Sequence, residues 1–241
     1  MRFDLERSRD FVNVVYWLSR LIGSIILRLL VRIETVGFQD VPRGPFVLVC
    51  NHISHFDPPL LVYAMPHKID CMGMKELFPG GFVSWWMKST GVFPVNRDIV
   101  DLSAVREALK RLKQGHIVVI FPESGIRTGD SSILAGVNDD LLPGAASLAH
   151  MSHTKVYPCL VLGADQLYDW KKWFKRARIF IHLGRPLEFD TKLNFHQARA
   201  SMTLDIGKAI RDMKQDLVDQ GLVTPDLQPR TAQQRWEESK G

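Results

Sequence analysis

VLVCNHISHFDPP, from Val47 to Pro59, runs from an apolar stretch, typical of a buried strand, straight into a polar loop. The loop carries His52 and, five residues later, Asp57. Histidine titrates near neutral pH, so at the end of a buried strand it suits proton transfer, and a nearby carboxylate can orient its ring. Five residues along a regular helix rotate the side chain by about 140°, so the pairing needs a turn. Asp57 precedes Pro58 and Pro59, which is typical of a helix start, and we expect it to face back toward His52.

Two other interpretations of this loop stay open on these residues alone. Asp57 could be a helix N-cap and nothing more, and His52 could be a structural histidine. His52, His55 and Asp57 could also bind a metal ion. His150 and His153 are weak further ligands, and nothing else in the sequence supplies a convincing ligand pair.

Two later stretches follow the same plan of an apolar strand, a turn and an exposed polar group. They are GVFPVNRD, from Gly91 to Asp98, and IVVIFPESGIRTGD, from Ile117 to Asp130. Three strand ends could therefore converge on one site.

Together with VYPCLVLGA, from Val156 to Ala164, these stretches resemble the four ordered blocks of the glycerolipid acyltransferases, the 1-acylglycerol-3-phosphate acyltransferase (PlsC-like) family. In that family the first block reads NHxxxxD and the second ends in an arginine after a strand. The third block reads FPEGTRS, and the fourth is a strand that carries proline. MGMKELFPGGFVSWWMKSTG, from Met72 to Gly91, also looks like the family's connection between the first two blocks. The resemblance runs from Gly37 to Leu187.

The third block departs from the family pattern. FPE is followed by SGIRT instead of GTRS, so Ser124 and Ile126 are unexpected and Arg127 lies one place later. Glu123 corresponds directly. Gly125 and Arg127 correspond only if the loop absorbs an extra residue, which a glycine permits because it reaches backbone angles closed to other residues.

Composition agrees with one α/β domain. A chain of 241 residues with 46% hydrophobic residues can bury a sizeable core. Its three cysteines, Cys50, Cys71 and Cys159, form no CxxC pair and no even disulfide set, so we expect a reducing compartment. The net charge of +5 favours an anionic partner, either nucleic acid, acidic lipid headgroups or a phosphate-bearing substrate.

The N-terminal segment FVNVVYWLSRLIGSIILRLLVRI, from Phe11 to Ile33, is apolar but contains three arginines. A polar stripe at helical spacing consists of Asn13, Arg20, Ser24 and Arg28. With Tyr16 and Trp17 near one end, the pattern predicts a helix in the membrane interface whose arginines, Arg32 included, reach lipid phosphates. A single spanning helix and an ordinary core helix are the alternatives. The mixed charge of the leader and the lack of a small-residue cleavage site argue against a signal peptide.

The rest of the chain alternates strands and helices, which predicts an α/β fold with a mixed sheet flanked by helices. We predict strands at Phe46–Cys50, Val92–Val95, Ile117–Phe121, Val156–Leu162 and Ile179–Leu183. We predict helices at Leu102–Lys113 and Pro143–Met151, and a long one that begins with a capping box of Asn194 and Gln197 and ends near Gly221. The predicted organisation is a membrane-interface segment (1–33), an acyltransferase domain (34–221) and a loose polar tail (222–241).

WKKWFKRAR, from Trp170 to Arg178, interleaves basic and aromatic residues. No nucleic-acid recognition motif accompanies it, so we expect no nucleic-acid partner. A helix resting on anionic lipid and a solvated basic face with its aromatic rings packed inward remain as alternatives.

Acyl transfer from a thioester to a hydroxyl needs a base, a stabilised oxyanion and a grip on each substrate. We expect His52 to be the base and Asp57 to orient its ring, with direct attack by the acceptor hydroxyl. The resemblance implies that Arg97 grips the acceptor's phosphate and that Glu123 positions its glycerol. It also suggests three further acceptor ligands, namely Lys75, Gly125 and Arg127.

The resemblance thus implies an O-acyltransferase on the cytoplasmic face of a membrane. It would acylate lysophosphatidic acid to phosphatidic acid, using acyl-CoA or acyl-carrier protein, with no metal or organic cofactor. The alternatives are another lyso-lipid or glycerol 3-phosphate as acceptor, a lipid hydrolase that uses His52 and Asp57 on water, and a membrane scaffold without turnover.

Overall fold

A computed structural model describes residues 2–96, 101–137, 141–190, 192–231, 233–234 and 237, with only the backbone described before Asn13 and at Asp226. In this part of the chain, seven strands form one sheet in the order β1-β7-β6-β2-β5-β3-β4. The strands are β1 (Val31–Val36), β2 (Phe46–Cys50), β3 (Ile69–Met74), β4 (Val92–Val95), β5 (Ile117–Ile120), β6 (Val156–Leu162) and β7 (Ala177–Leu183). The helices are α1 (Arg2–Leu30), α2 (Asp57–Ala64), α3 (Gly81–Ser89), α4 (Leu102–Lys113), α5 (Gly144–Ser152), α6 (Trp170–Phe174) and α7 (Phe195–Asp219).

The sheet is parallel except between its neighbouring strands β6 and β7, which run antiparallel. The predicted α/β class with a mixed sheet is therefore confirmed. All five residues of β2 are buried, because helices cover both faces of a central parallel strand. The five predicted strands and three predicted helices are present, and Asn194 and Gln197 form the predicted capping box of α7.

Two strands were not predicted. The N-terminal segment was expected to stay helical to Ile33, but α1 ends at Leu30 and β1 begins at Val31. β1 pairs along its whole length with β7, and Arg178 of β7 forms an ion pair with Glu34 at 2.9 Å. This cross-strand pairing and the β-branched residues of the segment both favour a strand at Val31–Val36. β3 lies where the sequence suggested only a connection.

Part of the polar stripe of α1 contacts the protein. Arg20 donates to the carbonyl oxygens of Tyr63 and Pro66, and Arg28 donates to the hydroxyl of Tyr63. Arg32 lies on β1, beside Glu34. The opposite face of α1 is an exposed apolar stripe of Val14, Trp17, Leu18, Leu21, Ile22, Ile25, Ile26 and Leu29.

The exposed stripe follows the three- and four-residue spacing of one helix face. Within the described residues, Asn13–Leu30 is the one helical stretch long and apolar enough to cross a membrane. Its mean hydropathy is 1.3 and only 6% of it is buried, which argues against an ordinary core helix.

The segment after Gly221 was predicted to be loose, and for residues 222–231 this is wrong. Leu227 is fully buried in the core. Arg178 donates to the carbonyl oxygen of Leu222 at 3.0 Å, and Arg230 forms an ion pair with the buried Asp165 at 3.1 Å. One apolar anchor and one buried ion pair thus hold a segment whose composition is mostly polar.

Candidate active site

The parallel strands β2, β3, β4 and β5 all end at the same edge of the sheet. The loop after β2 carries His52, and the segment after β5 carries Glu123. Asn51 fastens the end of β2 to β6, since its side-chain amide exchanges two hydrogen bonds with the backbone of Val161 at 2.8 and 2.9 Å. The predicted convergence therefore holds for the ends of β2 and β5.

His52 and Asp57 lie in contact. Nδ1 of His52 lies 2.8 Å from Oδ2 of Asp57, and the same oxygen accepts the backbone N–H groups of Ile53 and Ser54. Asp57 is the first residue of α2, whose N-cap position is taken by Phe56 without a side-chain cap. Asp57 is thus the residue after the N-cap, and its carboxylate points back into the loop, where it accepts the hydrogen bonds given above.

Both members of the pair are shielded from water. His52 is 7% exposed, and its ring stacks on Phe121 with the centroids 4.2 Å apart. Asp57 is fully buried, and this burial raises the pKa of its carboxyl, although the hydrogen bond from His52 opposes the shift. Among the described residues, Oδ1 of Asp57 has no partner. The carboxylate is therefore directed at the histidine and the loop alone.

Glu123 bridges two loops. One carboxylate oxygen accepts the backbone N–H of His52 at 2.6 Å, and the other accepts that of Ile133 at 2.8 Å. The side chain is buried, and this burial raises the pKa of its carboxyl despite these hydrogen bonds. Glu123 was expected to face the acceptor's glycerol, but both oxygens contact protein backbone.

The irregular third block forms a tight loop. Ser124 takes a left-handed backbone conformation, with φ of 59°, at the position where the family pattern has glycine. The expectation that Gly125 supplies the unusual backbone angle is thus wrong. The backbone N–H of Arg127 donates to the carbonyl oxygen of His52 at 2.8 Å, and its Nε donates to that of Glu123 at 3.3 Å.

The two remaining predicted site residues follow neighbouring strands. Lys75 begins a short 3-10 helix directly after β3, and its side chain is exposed. Arg97 follows β4 but lies outside the described residues. The site geometry thus includes His52, Asp57, Glu123 and the backbone of Arg127, while Lys75 stands at the same edge.

A mainly apolar cavity of about 820 Å³ is lined on one side by His52 and His55. It extends to the inner face of α1, which contributes Tyr16, Arg20 and Leu27. Its other walls come from α2, α3, β3 and Phe121. From the third block, Ile126 lines the cavity and Arg127 does not.

From the sequence we expected no role for His55 except as a possible metal ligand, and no role for Tyr168. The ring of His55 also lines the cavity, and its Nδ1 lies 2.5 Å from the hydroxyl oxygen of Tyr168, 113 residues further along. No local pattern could have indicated a contact across that separation. In the described part of the chain, no group of three or more His, Cys, Asp or Glu side chains could hold a metal ion.

The arrangement suits proton transfer to a substrate oxygen in the cavity. Asp57 engages Nδ1 of His52, so Nε2 is the nitrogen that can take a proton. The nearby residues with nucleophilic groups are poorly placed to act. Burial holds the pKa of the Cys50 thiol well above its usual range, and the hydroxyl of Ser54 accepts the backbone N–H of Phe56. The geometry therefore favours direct attack by a bound hydroxyl over a covalent enzyme intermediate.

The chain is similar to known acyltransferases in sequence and in fold. Residues 32–162 match the family model described as acyltransferase. The 1-acyl-sn-glycerol-3-phosphate acyltransferase of Bacillus subtilis (strain 168) is 29% identical over 199 residues, which cover 80% of this chain and 94% of that protein. The lyso-ornithine lipid O-acyltransferase of Pseudomonas aeruginosa is 27% identical over 117 residues, covering 48% of this chain and 42% of that one. The crystal structure of the LPA acyltransferase PlsC from Thermotoga maritima shares the fold, with a TM-score of 0.63, 19% identity, and coverage of 90% of this chain and 83% of that chain.

Proposed function

Since the chain belongs to the PlsC-like family of glycerolipid acyltransferases, we propose that it acylates the free hydroxyl of lysophosphatidic acid to give phosphatidic acid. The acyl donor is acyl-CoA or acyl-carrier protein. One observation carries the proposal, namely the His52–Asp57 pair beside a large apolar cavity that His52 lines. That combination provides a base for a hydroxyl beside a space for a fatty chain.

The reaction follows from the geometry. Nε2 of His52 takes the proton of the acceptor hydroxyl while its oxygen attacks the thioester carbonyl. The tetrahedral intermediate collapses, the carbon–sulfur bond breaks, and the leaving thiolate takes the proton from His52. Asp57 keeps the imidazole in the correct orientation and stabilises the imidazolium between these steps.

The cavity suits the donor's acyl chain. Its walls are mainly apolar, and each buried methylene contributes about 0.8 kcal/mol to binding. A chain that lies between α1, α2 and β3 would have its thioester carbonyl within reach of His52, which lines the same cavity.

For the acceptor, we propose that Arg97 grips the phosphate, because a guanidinium can meet two phosphate oxygens at once. Lys75, Gly125 and Arg127 are further ligands at the same edge. Glu123 acts on the acceptor through the loops that it holds, since its oxygens bind the backbone of His52 and Ile133.

We propose that the apolar stripe of α1 rests among lipid acyl chains on the cytoplasmic face of a membrane. The stripe is exposed along the helix while the arginines of α1 bind α2, so its burial in lipid does not bury their charge. The cysteines, which are free and buried, agree with a reducing compartment.

A panel assay tests the proposal. Purified protein is incubated in mixed micelles with acyl-CoA or acyl-carrier protein and with lysophosphatidic acid, other lysophospholipids, lyso-ornithine lipid or glycerol 3-phosphate. We expect phosphatidic acid to be the fastest product. Faster acylation of another lyso-lipid would reassign the acceptor, and donor hydrolysis without transfer would favour a hydrolase.

A further inference from the structure

The catalytic loop leaves no backbone N–H of its own for an oxyanion. Acyl transfer creates a negatively charged oxygen on the thioester carbon, and preformed hydrogen-bond donors stabilise it. From His52 to Asp57, however, each backbone N–H already donates within the protein. The acceptors are Oε2 of Glu123 for His52, Oδ2 of Asp57 for Ile53 and Ser54, the hydroxyl of Tyr168 for His55, the hydroxyl of Ser54 for Phe56, and the carbonyl oxygen of Ser54 for Asp57.

The same loop carries a second histidine, His55, that lines the cavity. The ring of His55 lines the cavity together with that of His52. The hydroxyl oxygen of Tyr168 accepts the backbone N–H of His55 at 3.0 Å and also lies within hydrogen-bond distance of its Nδ1. In one tautomer of His55, the hydroxyl of Tyr168 gives its proton to Nδ1. The proton of the imidazole then resides on Nε2, which becomes a donor.

The position of Tyr168 is fixed by contacts of the short helix that carries it. It lies at the end of a 3-10 helix, Ala164–Tyr168, which follows β6. The helix is fixed by the ion pair between Asp165 and Arg230, by Gln166 donating to the carbonyl oxygen of Arg178, and by Trp173 donating to that of Leu167. Its position at the catalytic edge is therefore set by β7, α6 and the C-terminal segment, which gives His55 a preorganised partner.

We propose that Nε2–H of His55 donates a hydrogen bond to the thioester carbonyl oxygen and stabilises the oxyanion that forms there. The assignment rests on the proposed acyl transfer. His52 and His55 both line the apolar cavity, so a chain bound there would have its carbonyl within reach of the two rings. His52 transfers the proton of the acceptor hydroxyl, and the proposed phosphate ligands follow other strands. His55 is therefore the side chain of this loop that can contact the thioester carbonyl oxygen.

Steady-state kinetics of variants test the assignment. Removing one oxyanion donor lowers kcat by about a hundredfold to a thousandfold in a buried site, and for the exposed His55 we expect about tenfold to a hundredfold for His55→Ala. The KM values for donor and acceptor should stay unchanged. His55→Gln retains an N–H donor and should recover part of kcat. Tyr168→Phe removes the hydrogen-bond partner of Nδ1, which frees both the ring and its tautomer, and should cost about fivefold in kcat.

Two control variants separate a role in catalysis from a general effect on the structure. His196→Gln alters an exposed histidine on α7, and Tyr157→Phe removes a hydroxyl on β6, both outside the cavity lining, so neither should change kcat. Melting temperatures are measured for every variant. An unchanged kcat in His55→Ala, or a raised acceptor KM at constant kcat, would overturn the assignment while leaving acyl transfer in place. No transfer by the wild type with any donor would overturn the proposed function and this assignment together.

Discussion

Replacing Asp57 by asparagine separates a chemical role from a structural one. Oδ2 of Asp57 accepts three hydrogen bonds, from Nδ1 of His52 and from the backbone of Ile53 and Ser54. The carbonyl oxygen of an asparagine can accept the same three, so the loop should keep its shape. What disappears is the negative charge that stabilises the imidazolium during transfer.

The magnitudes differ for rate and stability. A general base contributes about 10² to 10⁴ to the rate, equivalent to about 2.7 to 5.4 kcal/mol of activation free energy. When its charged form is no longer stabilised, we expect most of that contribution to be lost. Stability should change by less than about 1 kcal/mol. Burial raises the pKa of Asp57 above its unfolded value, so the folded protein binds that proton more tightly. The ionised carboxylate therefore lowers stability at neutral pH, and the neutral asparagine should hold or raise the melting temperature.

Asp70 offers a matched control at the opposite edge of the sheet. It is also a buried carboxylate paired with a histidine, His116, at 2.6 Å, and it binds Arg111 at 3.0 Å. Burial raises its pKa, but the hydrogen bond from His116 and the charge of Arg111 outweigh that effect and hold the pKa below its usual value. Asp70→Asn should thus cost stability, about 3 kcal/mol, and spare turnover of the folded protein.

The assay measures thiol release and product formation, with thermal unfolding followed on the same samples. Asp57→Asn should lose activity at an unchanged melting temperature, and Asp70→Asn should show the reverse. If Asp57→Asn turned over at the wild-type rate, the charge would have no part in the chemistry. If it lost activity only in proportion to a fall in melting temperature, Asp57 would be a structural residue.

Three further predictions concern the acceptor, the membrane and acid stability. Arg97→Lys should raise the acceptor's KM more than the donor's, because lysine keeps the charge but loses the two-point geometry; a change in the donor's KM alone would place the phosphate elsewhere. Leu21→Asn with Ile25→Asn, on the exposed stripe of α1, should weaken binding to anionic liposomes in flotation and spare transfer to short-chain soluble substrates; equal binding would reject the stripe as the lipid contact. The stability that Asp70 contributes is present above its unfolded pKa and should disappear as the pH falls through its lowered folded value, so acid unfolding of Asp70→Asn should lack that step.

The catalytic loop was predictable because local signals agreed with one another. An apolar run specified β2, and the polar residues after it had to lie at its end. Asn194 and Gln197 likewise determine the start of α7 by contacts three residues apart. Such signals need no knowledge of the rest of the fold.

Long-range contacts were not predictable. The pairing of β1 with β7 and the contact between Tyr168 and His55 both depend on the sheet topology. The pattern of α1 correctly separated a polar face from an apolar one. The pattern alone does not indicate which face contacts the protein. In the structure, the carbonyl oxygen of Tyr63 on α2 accepts a hydrogen bond from Arg20, and its hydroxyl accepts one from Arg28.

The most direct test of acyl transfer by His52 follows labelled acyl chains from acyl-CoA into phosphatidic acid. Wild-type protein and His52→Ala are compared side by side with lysophosphatidic acid, after both have been shown to unfold at the same temperature. We expect labelled phosphatidic acid from the wild type and a rate lower by about a hundredfold to ten-thousandfold in the variant. Equal rates in the two proteins would contradict a catalytic role for His52.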